Sequence, residues 1–167
     1  MLTYTCSCCG ETHAGSPSFG YKAPHYYDLL SDEDKTQTAE LDDDICVIGT
    51  DEQCDRFVRA ILEVPILGSV EPFLWGVWVS LSEASFKRYL MTWDEPDESD
   101  SYFGWFSNRL PHYPDTLNLK TSVRPRKGGL RPCLVLEQSD HPLAMHFHQG
   151  LSAEEAQQIA ERVMHPQ

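Results

Sequence analysis

At 167 residues, 41% hydrophobic and 23% charged, the chain is long enough to bury roughly 70% of its unfolded surface in one core, with no disulfide or metal needed merely to hold it. Its net charge of −13, carried mostly by residues 1–84, repels nucleic acid and anionic membrane surfaces and excludes both as expected partners. No apolar run approaches the roughly 20 residues needed to cross a bilayer, and Met1 to Cys6 lack the basic head and apolar stretch of a signal peptide. The expected compartment is therefore the cytoplasm, where the six cysteines would be reduced thiols or metal ligands.

The whole chain, 1–167, reads as a single domain, with a knuckle and loop over 1–25 and an α+β body over 26–167. The stretch Cys6-Ser7-Cys8-Cys9-Gly10 opens it, with His13 and Gly15 close behind. Two cysteines three positions apart, closed by a glycine, can turn both thiolates toward one ion. A short helix is predicted around Ser31 to Leu41, with Ser31 as N-cap and Asp32, Glu33 and Asp34 favourable in its first turn. Ile45 to Ile48 reads as a short strand, and Phe57 to Leu67 as a longer one that ends or bulges at Pro65.

Phe73 to Leu81 is apolar, β-branched or aromatic on both faces, as in a central strand covered on both sides. Glu83 to Trp93 reads as a helix whose apolar face is Phe86, Tyr89, Leu90 and Trp93. Further strands are predicted over Tyr102 to Ser107, Leu117 to Val123 and Leu130 to Glu137, the last two joined by a hairpin at Gly128-Gly129. Ser152 and Glu155 form a capping box for a closing helix with the stripe Ala156, Ile159, Ala160 and Val163. The fold class expected is α+β: a mostly antiparallel sheet, a few flanking helices and an N-terminal cysteine knuckle loop. No glycine-rich phosphate loop follows any strand.

Zinc takes four nitrogen or sulfur donors in a tetrahedron. Cys6 and Cys9 supply two, His13 is the nearest third, and Cys46 is the candidate fourth; Cys8 is an alternative to either knuckle cysteine. The same residues also fit a tight turn of reduced thiols with no ion. Dithiol redox chemistry is the weaker use, since Gly15, Pro17 and Gly20 indicate a loop where a helix N-terminus would be required. His146 and His148 would face one side if they lay on a strand, and Cys46, Cys54 or Cys133 could act as a nucleophile beside an imidazole. The basic run Lys120, Arg124, Arg126, Lys127 and Arg131 could hold an anion, and the aromatic residues Phe103, Trp105, Trp75 and Trp78 either fill the core or form a recognition surface.

Several segments together resemble a bacterial family of uncharacterised proteins, domain of unknown function 2199. The resemblance covers nearly the whole chain. It rests on Cys6-x-x-Cys9-Gly10-x-x-His13, Asp44-Ile45-Cys46-Val47-Ile48, Phe57-Val58-Arg59 and Glu63-Val64-Pro65. Trp75 to Leu81, Phe103-Gly104-Trp105, Leu110 to Thr116, Leu119-Lys120, Arg131-Pro132 and His141 to Ala144 complete it. It implies a bacterial protein whose shared pattern includes Cys6, Cys9, His13 and Cys46. Cys8 is extra to that pattern, and His146 and Phe147 stand where polar residues are usual.

The expected function is a binding module whose N-terminal loop is pinned by one zinc ion or by a reduced thiol cluster. Motif position makes Arg59, Tyr113, Asp115 and His141 the candidate surface for an unknown protein or small-molecule ligand. One alternative is a metal-dependent hydrolase with an open zinc site, in which His13, His141 or a nearby carboxylate is the general base. Another is an acidic, immunity-type antagonist of a basic partner.

Overall fold

The computed structural model describes residues 1–166. The chain opens with a hairpin, β1 (Thr3–Thr5) and β2 (Thr12–Ala14), that forms a sheet of its own. β3 (Ser18–Gly20), the short helices α1 (His25–Asp28) and α2 (Asp32–Thr38), and the strands β4 (Ala39–Leu41) and β5 (Ile45–Thr50) follow. The body is built on two long strands, β6 (Gln53–Val64) and β7 (Phe73–Leu81). Next come α3 (Glu83–Met91), β8 (Tyr102–Phe106), β9 (Lys120–Arg124), β10 (Cys133–Leu136), α4 (Pro142–Gln149) and α5 (Ala153–Met164).

The long strands divide their edges between neighbours. β6 and β7 pair along their length, from Arg56↔Leu81 to Val64↔Phe73. The first half of β6 pairs with β5, while Ile61 meets Cys133 of β10 in parallel. β7 pairs in parallel with β3 at Leu74 to Gly76 and antiparallel with β8 at Val79 to Leu81. Since β8, β9 and β10 run on antiparallel, strands β6 to β10 close into a small barrel. The sheet is thus mostly antiparallel, as expected, and its closure is a feature that strand periodicity does not reveal.

Alternation sorts the side chains of the long strands. Val58, Ala60, Leu62 and Val64 of β6 and Phe73, Trp75, Val77 and Val79 of β7 enter the main core, all at most 1% exposed. Leu143 of α4 and Ala156, Ile159 and Ala160 of α5 join the same cluster, as does Leu2. The opposite face buries Phe57 and Trp78 with Cys46 in a second, smaller cluster. β7 is therefore covered on both sides, as its composition requires.

Several elements depart from the sequence reading. The helix predicted to Leu41 stops at Thr38, because Ala39 to Leu41 pair with Cys46 to Ile48. Asp42 makes that turn, its Oδ1 accepting from the N–H groups of Asp44 and Ile45. The helix predicted to Trp93 ends at Met91, and Leu90 is 41% exposed, so only Phe86 and Tyr89 bury its face. Residues 142–149 form a helix, with Pro142 in its first turn and the ring Nδ1 of His141 accepting from Leu143 N–H at 3.1 Å. His146 and His148 consequently lie on different sides of α4 and do not chelate together. His146 Nδ1 meets Tyr113 Oη at 2.9 Å, and His148 Nε2 meets Leu136 O at 2.7 Å.

Candidate metal centre

The β1–β2 hairpin holds Tyr4 opposite His13 and Thr5 opposite Thr12, and the cysteines fill the turn between the strands. Cys6 N–H donates to Glu11 O at 2.8 Å, and Gly10 N–H donates to Cys6 O at 2.9 Å. Gly10 adopts φ 76°, the left-handed conformation that lets the chain double back. Space is not the reason for glycine there, since an added Cβ would meet nothing within 4 Å.

This turn brings one donor atom from each of Cys6, Cys9 and His13 within 4.8 Å of one another. Cys6 is 1% exposed, whereas Cys8 and Cys9 are exposed. His13 packs against the Tyr4 ring at 5.3 Å between centroids, and its Nε2 is buried with no hydrogen-bond partner. A buried imidazole nitrogen without a partner carries an uncompensated desolvation cost. A cation bound there would remove it.

The thiols differ in acidity. Burial alone would raise the Cys6 thiol, but the backbone N–H groups of Cys9 and Cys8 and the Cys9 thiol outweigh it and hold Cys6 below the ordinary range. For Cys9 the Glu11 backbone contact lowers, yet the Cys6 sulfur and burial prevail and the thiol is raised. Of the two thiols Cys6 is therefore the more acidic.

Cys46 is not part of the group. It lies in β5 opposite Phe57, fully buried against Phe57 and Trp78, and burial, with Asp42 and Asp28 adding, pushes its thiol up to about 12. The candidate ligand surface falls into two places. Tyr113, Asp115 and His141 gather at the start of α4, where His141 Nε2 meets Asp115 O at 3.2 Å and Tyr113 reaches His146 of the same helix. The loop that carries Tyr113 and Asp115 is anchored by buried Asn108, which accepts from Trp78 N–H at 2.7 Å and donates to Ala23 O at 3.0 Å. Arg59 sits apart on β6, its guanidinium 5.9 Å from the Trp78 ring centroid and donating to Asp43 O at 3.2 Å.

The structure adds residues that local spacing could not supply. Glu161 of α5 accepts from Ser7 N–H and Ser7 Oγ–H, each at 2.6 Å, and Gln157 Nε2–H donates to Thr5 O at 3.0 Å. One further turn along, His165 Nε2 lies 3.3 Å from Cys6 Sγ. Gln157 and Glu161, with His165 at the C-cap, form an i, i+4, i+8 polar stripe along α5, whose buried stripe is Ala156, Ile159 and Ala160. That periodicity is visible in the sequence, but what it faces is not. Beside the knuckle lies a cavity of about 620 Å³ lined by Cys8, His112, Glu161, Arg162 and His165 among others.

A family model described as an uncharacterized protein conserved in bacteria (DUF2199) matches residues 5–151. No curated protein and no solved structure matches the chain.

Proposed function

The chain belongs to the DUF2199 family of uncharacterized proteins conserved in bacteria, and we propose that within it the knuckle is a structural zinc site that shapes a binding module. Cys6, Cys9 and His13 are the ligands. The convergence of their donors within 4.8 Å carries the reading, and the unpartnered Nε2 of His13 supports it. Two sulfur donors and an imidazole suit the borderline-soft character of zinc better than that of calcium or magnesium, which take oxygen. Hairpins with three-residue strands are marginal by themselves, so an ion at the turn would have a structural task here.

The surface at Tyr113, Asp115 and His141 is the proposed contact for a small molecule or protein. The net charge of −13 favours a basic partner over nucleic acid or anionic membrane. The protein is proposed to act in the cytoplasm, and none of the described helices is long and apolar enough to cross a membrane.

One observation favours a second reading. The cavity beside the knuckle would give a substrate access to the ion if one coordination position stayed open, as hydrolytic zinc sites require. Elemental analysis of protein purified without chelator tests the leading proposal. About one zinc per chain is expected, with the metal lost on replacing both Cys6 and Cys9 by Ser. Metal-free protein whose knuckle thiols all react freely would refute it.

A further inference from the structure

We propose that His165 is the fourth ligand of the knuckle site, so that the ion is enclosed by Cys6, Cys9, His13 and His165 and joins the hairpin to the last helix. The inference rests on the zinc reading and names what completes the site. In a tetrahedral site with Zn–S near 2.3 Å and Zn–N near 2.0–2.1 Å, neighbouring sulfur and nitrogen ligands stand about 3.5 Å apart. His165 Nε2 stands 3.3 Å from Cys6 Sγ. Its ring touches Cys6 and lies outside the mutual 4.8 Å of the other three donors, so it approaches the site from the Cys6 side and would have to shift inward to complete the tetrahedron.

The approach of α5 does not depend on that contact. Ala156, Ile159 and Ala160 fix one face of the helix in the core, all fully buried. Gln157 and Glu161 fix another against Thr5 and Ser7, on either side of Cys6 in the sequence. His165 is the next residue on that stripe. It follows the last helical turn, where its own N–H still donates to Glu161 O at 2.9 Å. The helix therefore brings the His165 backbone to the knuckle, where the ring meets the sulfur.

The other candidates are occupied or remote. Cys46 is sealed in the second cluster. Both carboxylate oxygens of Glu161 are taken by Ser7. Cys8 faces the cavity without a place in the group of converging donors. With His165 in place all four positions belong to protein, none is left for water, and the cavity does not serve hydrolysis. Both cysteines bind as thiolates and their protons pass to solvent.

Cobalt(II) replaces zinc as the visible probe, titrated into the wild type and into H165A and H165C, with zinc affinity measured by competition against a chromophoric chelator. The wild type is expected to take one ion and to show the intense d–d bands of a tetrahedral site. H165A keeps sulfur-to-cobalt charge transfer, but its d–d bands shift and weaken as water takes the vacated position. Its affinity falls by at least the roughly tenfold seen when a group behind a ligand is lost. H165C restores the bands and adds charge-transfer intensity, a rescue that simple packing at this position would not give. Circular dichroism of the metal-free forms separates misfolding from ligand loss. If H165A matches the wild type in spectrum and affinity, His165 is not a ligand while the zinc reading stands. If the wild type itself binds no cobalt or zinc, that reading falls, and this proposal with it.

Discussion

Among the six thiols, surroundings rather than spacing decide behaviour. Cys8 is exposed and Cys46 is fully buried, with burial pushing its thiol up to about 12. An alkylating reagent at pH 8, read by peptide mass spectrometry, is expected to modify Cys8 quickly and Cys46 only after unfolding. Zinc should protect Cys6 and Cys9 without slowing Cys8. Labelling of Cys46 as fast as that of Cys8 would show that the second cluster opens readily. At this scale the sequence made the grouping of Cys6, Cys9 and His13 legible, because it is local and closed by one glycine turn. It offered Cys46 as the fourth ligand because that residue follows the acidic run and belongs to the family's pattern. In the structure that run is the β4–β5 turn, and the cysteine points from β5 into an aromatic cluster. His165 was invisible because its relation to Cys6 spans 159 positions and exists only after folding.

Between whole elements, the close approach of β8 to β7 is set by a missing side chain. Gly104 faces Leu81, and a Cβ there would stand 2.9 Å from Ser80 O and run into the Val79 side chain. G104A should cost about 1–3 kcal/mol by overpacking, seen as a lower urea midpoint with unchanged slope. The capping box of α5 gives a milder test. Ser152 Oγ accepts from Glu155 N–H at 3.1 Å while Glu155 accepts from Ser152 N–H at 2.8 Å, so S152A should cost about 1 kcal/mol. An undiminished midpoint in S152A would mean that core contacts alone start the helix. Both the capping box and the strand Phe73–Leu81 could be read from sequence, since each is written in adjacent residues. The helix at 142–149 could not, because its cap is a histidine ring, a residue type outside the usual Ser, Thr, Asp and Asn signals.

For the molecule as a whole, the buried acids define its tolerance of alkali. Burial pushes Tyr21 and Cys46 up to about 12 and raises Tyr89 and Tyr113 as well. An acid whose folded pKa lies above its unfolded one contributes stability that is complete below the unfolded value and is lost as pH rises through the folded one. The loss should therefore begin near pH 8.5 for the thiol and near 10 for the phenols, and continue toward 12. Urea titrations at stepped pH with chelator present, paired with phenolate absorbance, test this. Tyrosines that all ionise near pH 10 while the fold persists would contradict it.

The contact between the first hairpin and α5 also has a consequence for synthesis. The three knuckle cysteines leave the ribosome about 140 residues before the helix that packs against Thr5, Cys6 and Ser7. At roughly 5–20 residues per second that is about 7–30 s in which Cys6, Cys8 and Cys9 stand without His165 or the hydrogen bonds of Glu161 and Gln157. During that interval Cys6, Cys9 and His13 would be the donors open to an ion. Emergence and docking of α5, and not the first arrival of metal, would then be the step that commits the site.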